Sequence, residues 1–386
     1  MRDSWATLSL GEVAEVLDRM RKPISGAERE KRLGKVPYYG ATGLTGWIDK
    51  PLFNEELVLL GEDAIDFLNP DVHKAYLIDG PSWVNNHAHV LRARKNIILS
   101  YFLMEALNAV DYSKFVAFGT RSKLTQGSMM GIRIPVPPLL VQRRIVDLVA
   151  SIDAYIAGLE KQVEAARTAR NAILHELLTA GGDDWTETTF GGVAEWFSGG
   201  TPKAGKAEFY DGGTIPWVVI ADMAETEIHT TAKSITQEGL REIGGRLAPA
   251  GSVLISMYAT VGRAAIAHLP VATNQAIAWS IPNQAVVLPR LLLFVAQLLE
   301  PTVAAMARGA TQKNINREIL RNVQFLLPPM AEQERIVEIV TSIDDVIGAT
   351  EQAFTDAKRL RSGLLTDLLS GEHEIPESYD KFLGAA

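Results

Sequence analysis

One stretch of this chain occurs twice. The first copy starts at Pro137-Pro138 and runs to about Thr179; the second starts at Pro328-Pro329 and runs to about Ser370. With one constant offset and no gap, Gln142 falls on Gln333, Arg144 on Arg335, and Ser151-Ile152-Asp153 on Ser342-Ile343-Asp344. Ile156 falls on Ile347, Glu160 on Glu351, and Leu177-Leu178 on Leu368-Leu369. Such a match is an internal repeat, and it limits the possible folds more than any composition does. Apolar residues recur mostly in steps of three or four: Val141, Ile145, Leu148, Ile152, Ile156 and Leu159 in one copy, Ile336, Ile339, Ile343, Val346, Phe354 and Ala357 in the other. That spacing predicts an a/d seam on a long helix. The Pro-Pro pairs mark the starts, and Gly181-Gly182 and Gly371 mark the stops. Forty residues make a rod of about 60 Å, whose exposed seam needs a partner. Two copies of one rod supply each other's.

Around the rods lie two segments of ordinary globular size. They begin alike, W-A-T-L-S-L-G-E-V-A-E from Trp5 and W-T-E-T-T-F-G-G-V-A-E from Trp185, and Thr120-Arg121-Ser122-Lys123-Leu124 aligns with Thr311-Gln312-Lys313-Asn314-Ile315 near their ends. Between those borders no register is convincing. In the first, Tyr38 to Trp47 reads as a glycine-punctuated loop, Leu57–Leu60 and Ala75–Ile78 as strands, and Ser100–Ala109 as a short helix. In the second, strands are expected at Ile215–Ile220, Gly251–Ser256 and Ala264–Ala267, and a helix at Leu291–Leu299. Only a few residues separate the first rod from Trp185, so the second segment is expected at that rod's far end and the rods antiparallel. The fold class is α+β: two globular α/β domains (residues 1-136 and 185-327), two long antiparallel helical spacers forming a coiled coil (137-180 and 328-371), a tail (372-386), and pseudo-two-fold symmetry.

The chain has no cysteine, which excludes disulfides, thiolate metal sites and a cysteine nucleophile. Its first residues lack an apolar h-region and no run suffices to cross a bilayer, so the expectation is a cytoplasmic protein without membrane contact. The net charge of −8 is concentrated: residues 328–386 carry twelve Asp or Glu against five Lys or Arg. Each globular segment is near neutral and free to present a basic face.

Catalytic motifs are scarce. Gly200-Thr201-Pro202-Lys203-Ala204-Gly205-Lys206-Ala207 resembles a P-loop, but Ala207 lacks the magnesium-binding hydroxyl, and Ala194–Ser198 is a poor buried strand to precede one. It reads as a glycine turn with two lysines. His87-Ala88-His89 puts two imidazoles on one face if the segment is a strand, without further ligands nearby, so no metal is assigned. Asp356-Ala357-Lys358 has a nuclease-like spacing but lies within a rod. There is no G-x-S-x-G, H-E-x-x-H or Asn-Pro-Pro-aromatic motif. The chain reads as a non-enzyme with no catalytic residue.

Residues suited to nucleic acid are more plentiful. Lys35, Tyr38, Tyr39 and Thr42, the amides and imidazole of Asn85-Asn86-His87, and Arg121 and Lys123 are candidates in the first segment. Lys203, Lys206, Asn274, Gln275, Gln312, Lys313 and Asn314 are candidates in the second. Amides suit base edges and the cations suit phosphates.

The whole layout resembles the DNA-specificity subunit of type I restriction-modification systems. The resemblance rests on the two Trp borders, on Gly309-Ala310-Thr311-Gln312-Lys313-Asn314-Ile315, on Tyr38–Gly43 and Thr273–Gln275, and above all on Pro-Pro-x-x-Glu-Gln-x-x-Ile, intact from Pro328 to Ile336. The first copy has Val141 where the motif has Glu. The resemblance implies two target-recognition domains, each reading one half of a split double-stranded DNA sequence. It implies helices that set their separation and dock two methyltransferase subunits, with Gln142, Arg144, Gln333 and Arg335 as candidate contacts, and restriction/translocase subunits that join them. S-adenosylmethionine, ATP and magnesium then belong to those partners, and this chain binds no cofactor. The alternative is a scaffold with two ligand- or protein-binding domains on a coiled-coil spacer; it does not explain matched borders around dissimilar centres.

Overall fold

The computed structural model describes residues 5–69, 72–116, 122–307 and 314–383. Four helices exceed eight residues among them: α1 (Ser100–Asn108), α2 (Leu139–Thr179), α3 (Pro289–Leu298) and α4 (Met330–Ser370). α2 and α4 are the two repeat copies, 41 residues each, and both begin directly after Pro-Pro. The chain forms two compact units, Met1–Glu160 with Gln352–Ala386, and Lys161–Glu351. Each unit therefore contains one globular segment and half of each long helix.

In the first unit, β1 (Ala6–Ser9) pairs antiparallel with β10 (Arg133–Val136), which makes the Trp5 border one side of a ribbon. The remaining strands are β2 (Ala14–Val16), β3 (Val36–Gly40), β4 (Gly43–Ile48), β5 (Phe53–Asn54), β6 (Leu57–Gly61), β7 (Ala75–Ile78), β8 (Pro81–Val84) and β9 (Ala88–Ala93). They form two sheets, ordered β2-β9-β6-β7 and β4-β3-β8-β5. The expected loop at Tyr38–Trp47 is instead the β3–β4 hairpin. Ala41-Thr42 is its turn, and Gly43 takes a φ of 120° that a side chain resists. The glycines flank the turn within the strands, and the Tyr, Thr and Trp beside them are strand formers. β6, Leu-Val-Leu-Leu-Gly, is buried on both faces. α1 packs on β6 and β7, and Phe102 and Leu103 share one core with Ile145 and Val149 of α2 and Leu365, Leu368 and Leu369 of α4.

The second unit repeats this plan. β11 (Thr186–Thr189) pairs with β20 (Gln324–Leu327) at the Trp185 border. Between them run β12 (Ala194–Ser198), β13 (Ile215–Val218), β14 (Glu227–Ile228), β15 (Ser234–Ile235), β16 (Val253–Ser256), β17 (Ala264–Ala267), β18 (Ala272–Thr273) and β19 (Ile277–Pro282). The sheets are β12-β19-β16-β17-β14 and β15-β13-β18. The order β2-β9-β6-β7 is matched by β12-β19-β16-β17, and the parallel pair β3·β8 by β13·β18. The centres without sequence register thus share this central strand order, while β14 and β5 have no counterpart among the described residues. Ala194–Ser198, too polar for a fully buried strand, is the edge strand β12, with Ala194 and Trp196 buried and Glu195 exposed. α3 covers β16 and β17, and Phe294 shares a core with Leu174 and Leu178 of α2 and Ile336 and Val340 of α4.

Within each unit the helix halves run antiparallel and carry the same ion pair. In the first, Arg361 binds Asp153 through two nitrogens (Nε 2.5 Å, Nη2 3.0 Å) and reaches buried Glu105 of α1 at 2.6 Å. In the second, Arg170 binds Asp344 (2.8 and 3.2 Å) and reaches Gln297 of α3 at 3.0 Å. Arg170 and Arg361 occupy equivalent repeat positions, as do Asp153 and Asp344. The seam departs from expectation at Val346, which is exposed; its neighbour Ile347 is buried instead. A 3.6-residue turn drifts across a 3.5-residue pattern, so the buried position shifts by one.

Candidate nucleic-acid interface

β3 and β8 lie parallel, and the chain leaves β8 through a turn that the sequence singled out. Asn85 N–H donates to Tyr39 O (3.1 Å), and Asn85 Oδ1 accepts from His87 N–H at 2.8 Å. This side-chain turn is a local habit of Asn. It pins Asn85 inside and leaves Asn86 and His87 exposed. His87 Nδ1 lies 2.6 Å from Asp63 Oδ1. Thr42 is exposed at the hairpin turn, Tyr39 is half-buried against Tyr76, and Lys35 is exposed with no ion pair among the described residues. Trp47 and Leu44 of β4 are also exposed, which the loop reading hid.

Tyr38, a DNA-binding candidate by sequence, is buried. It is 3 % exposed, packed with Ile48 and Trp83, and covered by the Arg29 guanidinium at 4.9 Å. Burial pushes its hydroxyl pKa up. Lys123 is exposed but holds Glu62 at 2.8 Å. His87 and His89 do not share a face: His87 is in the turn, whereas His89 is buried in β9 between Asp18 (2.6 Å) and Leu124 O (2.9 Å). Asp18, Glu62 and His89 approach one another as metal ligands do. Arg21 enters the same cluster, 3.2 Å from Asp18 and 2.6 Å from Glu62, and with Lys123 balances both carboxylates. Burial raises the Asp18 pKa, but the bonds from His89 and Val90 N–H outweigh it and hold the carboxyl below its usual range. The cluster is a satisfied ionic network and leaves no charge for a cation to neutralise.

The second unit places the same turn after β18. Asn274 N–H donates to Val218 O (3.0 Å), and its Oδ1 accepts from Ala276 N–H at 3.0 Å. Asn274 is thus the counterpart of Asn85, and exposed Gln275 the counterpart of Asn86. Gln275 bonds the Thr201 hydroxyl, and Gly200 N–H donates to Thr273 O at 2.9 Å, which fastens the 199–206 loop to this turn. The loop follows an edge strand and runs into a short turn at Ala207–Phe209, without the helix a P-loop needs. Lys203 is exposed with no ion pair among the described residues; Lys206 pairs with Glu208 (3.0 Å) and lies over Phe209. Asn314 bridges to Tyr258. Arg121, Gln312 and Lys313 lie outside the described residues.

The repeated glutamines of the helices have a different task from the one expected. Gln142 Oε1 accepts from Leu99 N–H (2.9 Å), and its Nε2 donates to Ile97 O (2.9 Å) and Pro137 O (2.8 Å). Gln333 accepts from Leu288 N–H (2.9 Å) and donates to Val286 O (2.9 Å) and Pro328 O (3.0 Å). Both are wholly buried, so neither presents a surface to a partner. Each ties the loop before α1 or α3 to the start of a long helix. Arg144 is likewise covered: Asp380 of the tail grips it from both oxygens at 2.5 and 2.8 Å, beside a Tyr379–Asp147 bond. Its repeat counterpart Arg335 is 62 % exposed.

Comparison with known proteins agrees with this layout. The family model described as "Type I restriction modification DNA specificity domain" matches residues 2–166 and 182–355, once per unit. A putative type I specificity subunit of Haemophilus influenzae is 26 % identical over 87 % of this chain and 86 % of its own length. The EcoR124I/EcoR124II specificity subunit of Escherichia coli is 26 % identical over 62 % of each. Among solved structures, the S subunit of a type I restriction-modification system from M. genitalium superposes with a TM-score of 0.59 at 13 % identity, covering 94 % of this chain and 96 % of that one. A chain from a study of type I complex assembly and conformational transition gives 0.61 at 19 % identity, covering 95 % and 97 %.

Proposed function

Since the chain belongs to the type I restriction-modification DNA specificity family, we propose that each of its two units reads one half of a split duplex sequence. It does so on behalf of two methyltransferase subunits and the restriction/translocase subunits that join them. One observation carries this reading: an Asn turn follows a parallel strand at the same place in both units and presents different side chains, Asn86-His87 in one and Gln275-Ala276 in the other. A constant frame with variable tips suits two readers of different sequences. Asn and Gln amides match the paired donor and acceptor of adenine in the major groove, and Lys35 and Lys203 suit backbone phosphates. A non-DNA scaffold does not need the matched turn.

The chain is acidic overall, so most phosphate neutralisation comes from its partners. The exposed flank of α4 around Arg335 is the candidate methyltransferase contact. S-adenosylmethionine, ATP and magnesium act on the partner subunits, and this chain neither cleaves nor methylates DNA. The complex works in the cytoplasm; among the described residues no helix is long and apolar enough to cross a membrane. The test is expression of the methyltransferase with and without this chain, followed by sequencing of the methylated genome. A bipartite methylated motif that appears only with this chain is expected. The same motif without the chain would overturn the reading.

A further inference from the structure

The second unit has a cleft of about 340 Å³ beside the Asn274 turn, lined by Phe197, Gly199, Gly244, Arg246, Thr273 and Arg317, with Trp279 behind Phe197. Arg246 and Arg317 are exposed, and neither has a carboxylate partner among the described residues. The Arg246 guanidinium rests 5.2 Å over the Phe197 ring, which is stacked on Trp279 at 4.4 Å. A cation held on an aromatic face keeps its N–H groups free for an anion. Thr273 is buried in the lining, and its hydroxyl has no hydrogen-bond partner. A side chain at 199 would strike that hydroxyl and the carbonyls of Thr273 and Asn274, so only glycine permits this close approach of the cleft wall to the Asn274 turn. Among the described residues, the first unit has no such arrangement. Val84 stands where Thr273 stands, as the register of β8 on β3 and of β18 on β13 shows.

Two unpaired guanidiniums beside a turn that carries candidate base contacts suit a tetrahedral oxyanion with several acceptor oxygens. The geometry points to a binding site for one backbone phosphate of the target DNA, gripped by Arg246 and Arg317 in the second unit. This rests on the DNA-recognition reading above and adds a named contact to it. A phosphate contact positions the protein without selecting a base. Its removal therefore weakens binding to every sequence alike, whereas loss of an arginine-guanine contact would relax the motif.

The test uses the full chain assembled with its methyltransferase subunits on the target duplex. Arg246→Gln or Arg317→Gln is expected to weaken binding roughly 10- to 100-fold, as loss of a charge-assisted hydrogen bond does. The double variant makes the slope of log affinity against log salt shallower by about 0.9, the value for one phosphate. Arg241→Gln, an exposed cation of the same unit paired with Glu238, serves as the charge-matched control. With unaltered protein, methylphosphonate scanning finds one position in one half-site that reproduces the loss. That scan does not depend on how an arginine variant folds, and a folded double variant loses nothing further at that position. An unchanged salt slope in the double variant, or a changed methylated motif, overturns the phosphate assignment. Failure of the unaltered complex to bind its target overturns the function itself.

Discussion

Gln142 and Gln333 each satisfy one backbone N–H and two backbone carbonyls with a single buried amide, using both of its chemical ends. Only glutamine has that reach and that pairing of acceptor with donors. Gln142→Ala leaves three backbone groups without partners in a closed site, at a cost of about 3 kcal/mol. Hydrogen exchange should quicken at residues 97–99 and urea unfolding should move to lower concentration. Arg335→Ala is expected to change stability by less than about 0.5 kcal/mol, since an exposed pair contributes little. If the two variants were equally damaging, the assignment of buried lock and free surface would be wrong. Sequence alone marks both glutamines as repeated. It does not separate a residue repeated for the fold from one repeated for a partner, because burial is not written in spacing.

The long helices show what spacing can and cannot convey. Their bounds and most of their seam follow from periodicity and Pro-Pro. The Arg170–Asp344 and Arg361–Asp153 pairs are legible only once the helix halves are known to run antiparallel, because the partners lie far apart in sequence. The tail's grip on Arg144 follows no pattern at all. The β3–β4 hairpin was obscured by its own glycines, which signal loop more strongly than Tyr and Trp signal strand. In the first unit Asp153 gives a stability prediction with a sign. Burial pushes its carboxyl up, but hydrogen bonds from Arg361 and Tyr101 outweigh burial and hold the pKa below its ordinary value near 4. A depressed carboxyl contributes above the unfolded pKa and loses its contribution as pH falls through the folded one. Stability should therefore decline below about pH 4, and Asp153→Asn should flatten that part of the curve. Arg361→Ala should cost about 3–5 kcal/mol at pH 7, because Glu105 is then buried without its cation. Denaturant melts across pH test both variants.

For the molecule as a whole, shared strand order and unlike surface residues predict independence. Exchange of residues 16–118 for the matching part of a related protein keeps the β1–β10 border and both helices. The expected result is a methylated motif changed in one half and preserved in the other. A motif changed in both halves would count against independent units. The shared topology escaped sequence comparison because different apolar residues fill the same places: Leu-Val-Leu-Leu in β6, Val-Leu-Ile-Ser in β16.

The second unit is one uninterrupted stretch, Lys161–Glu351, whose two ends both lie inside long helices. For a gene, this is a layout for inheritance by exchange. The segments that encode α2 and α4 are related copies, so a crossover within either one stays in frame and rebuilds a complete helix. Its Pro-Pro start, its buried glutamine and its Arg–Asp partners survive the joint. A lineage can thus acquire a new target in one recombination event, where point mutation would have to pass through readers of nothing.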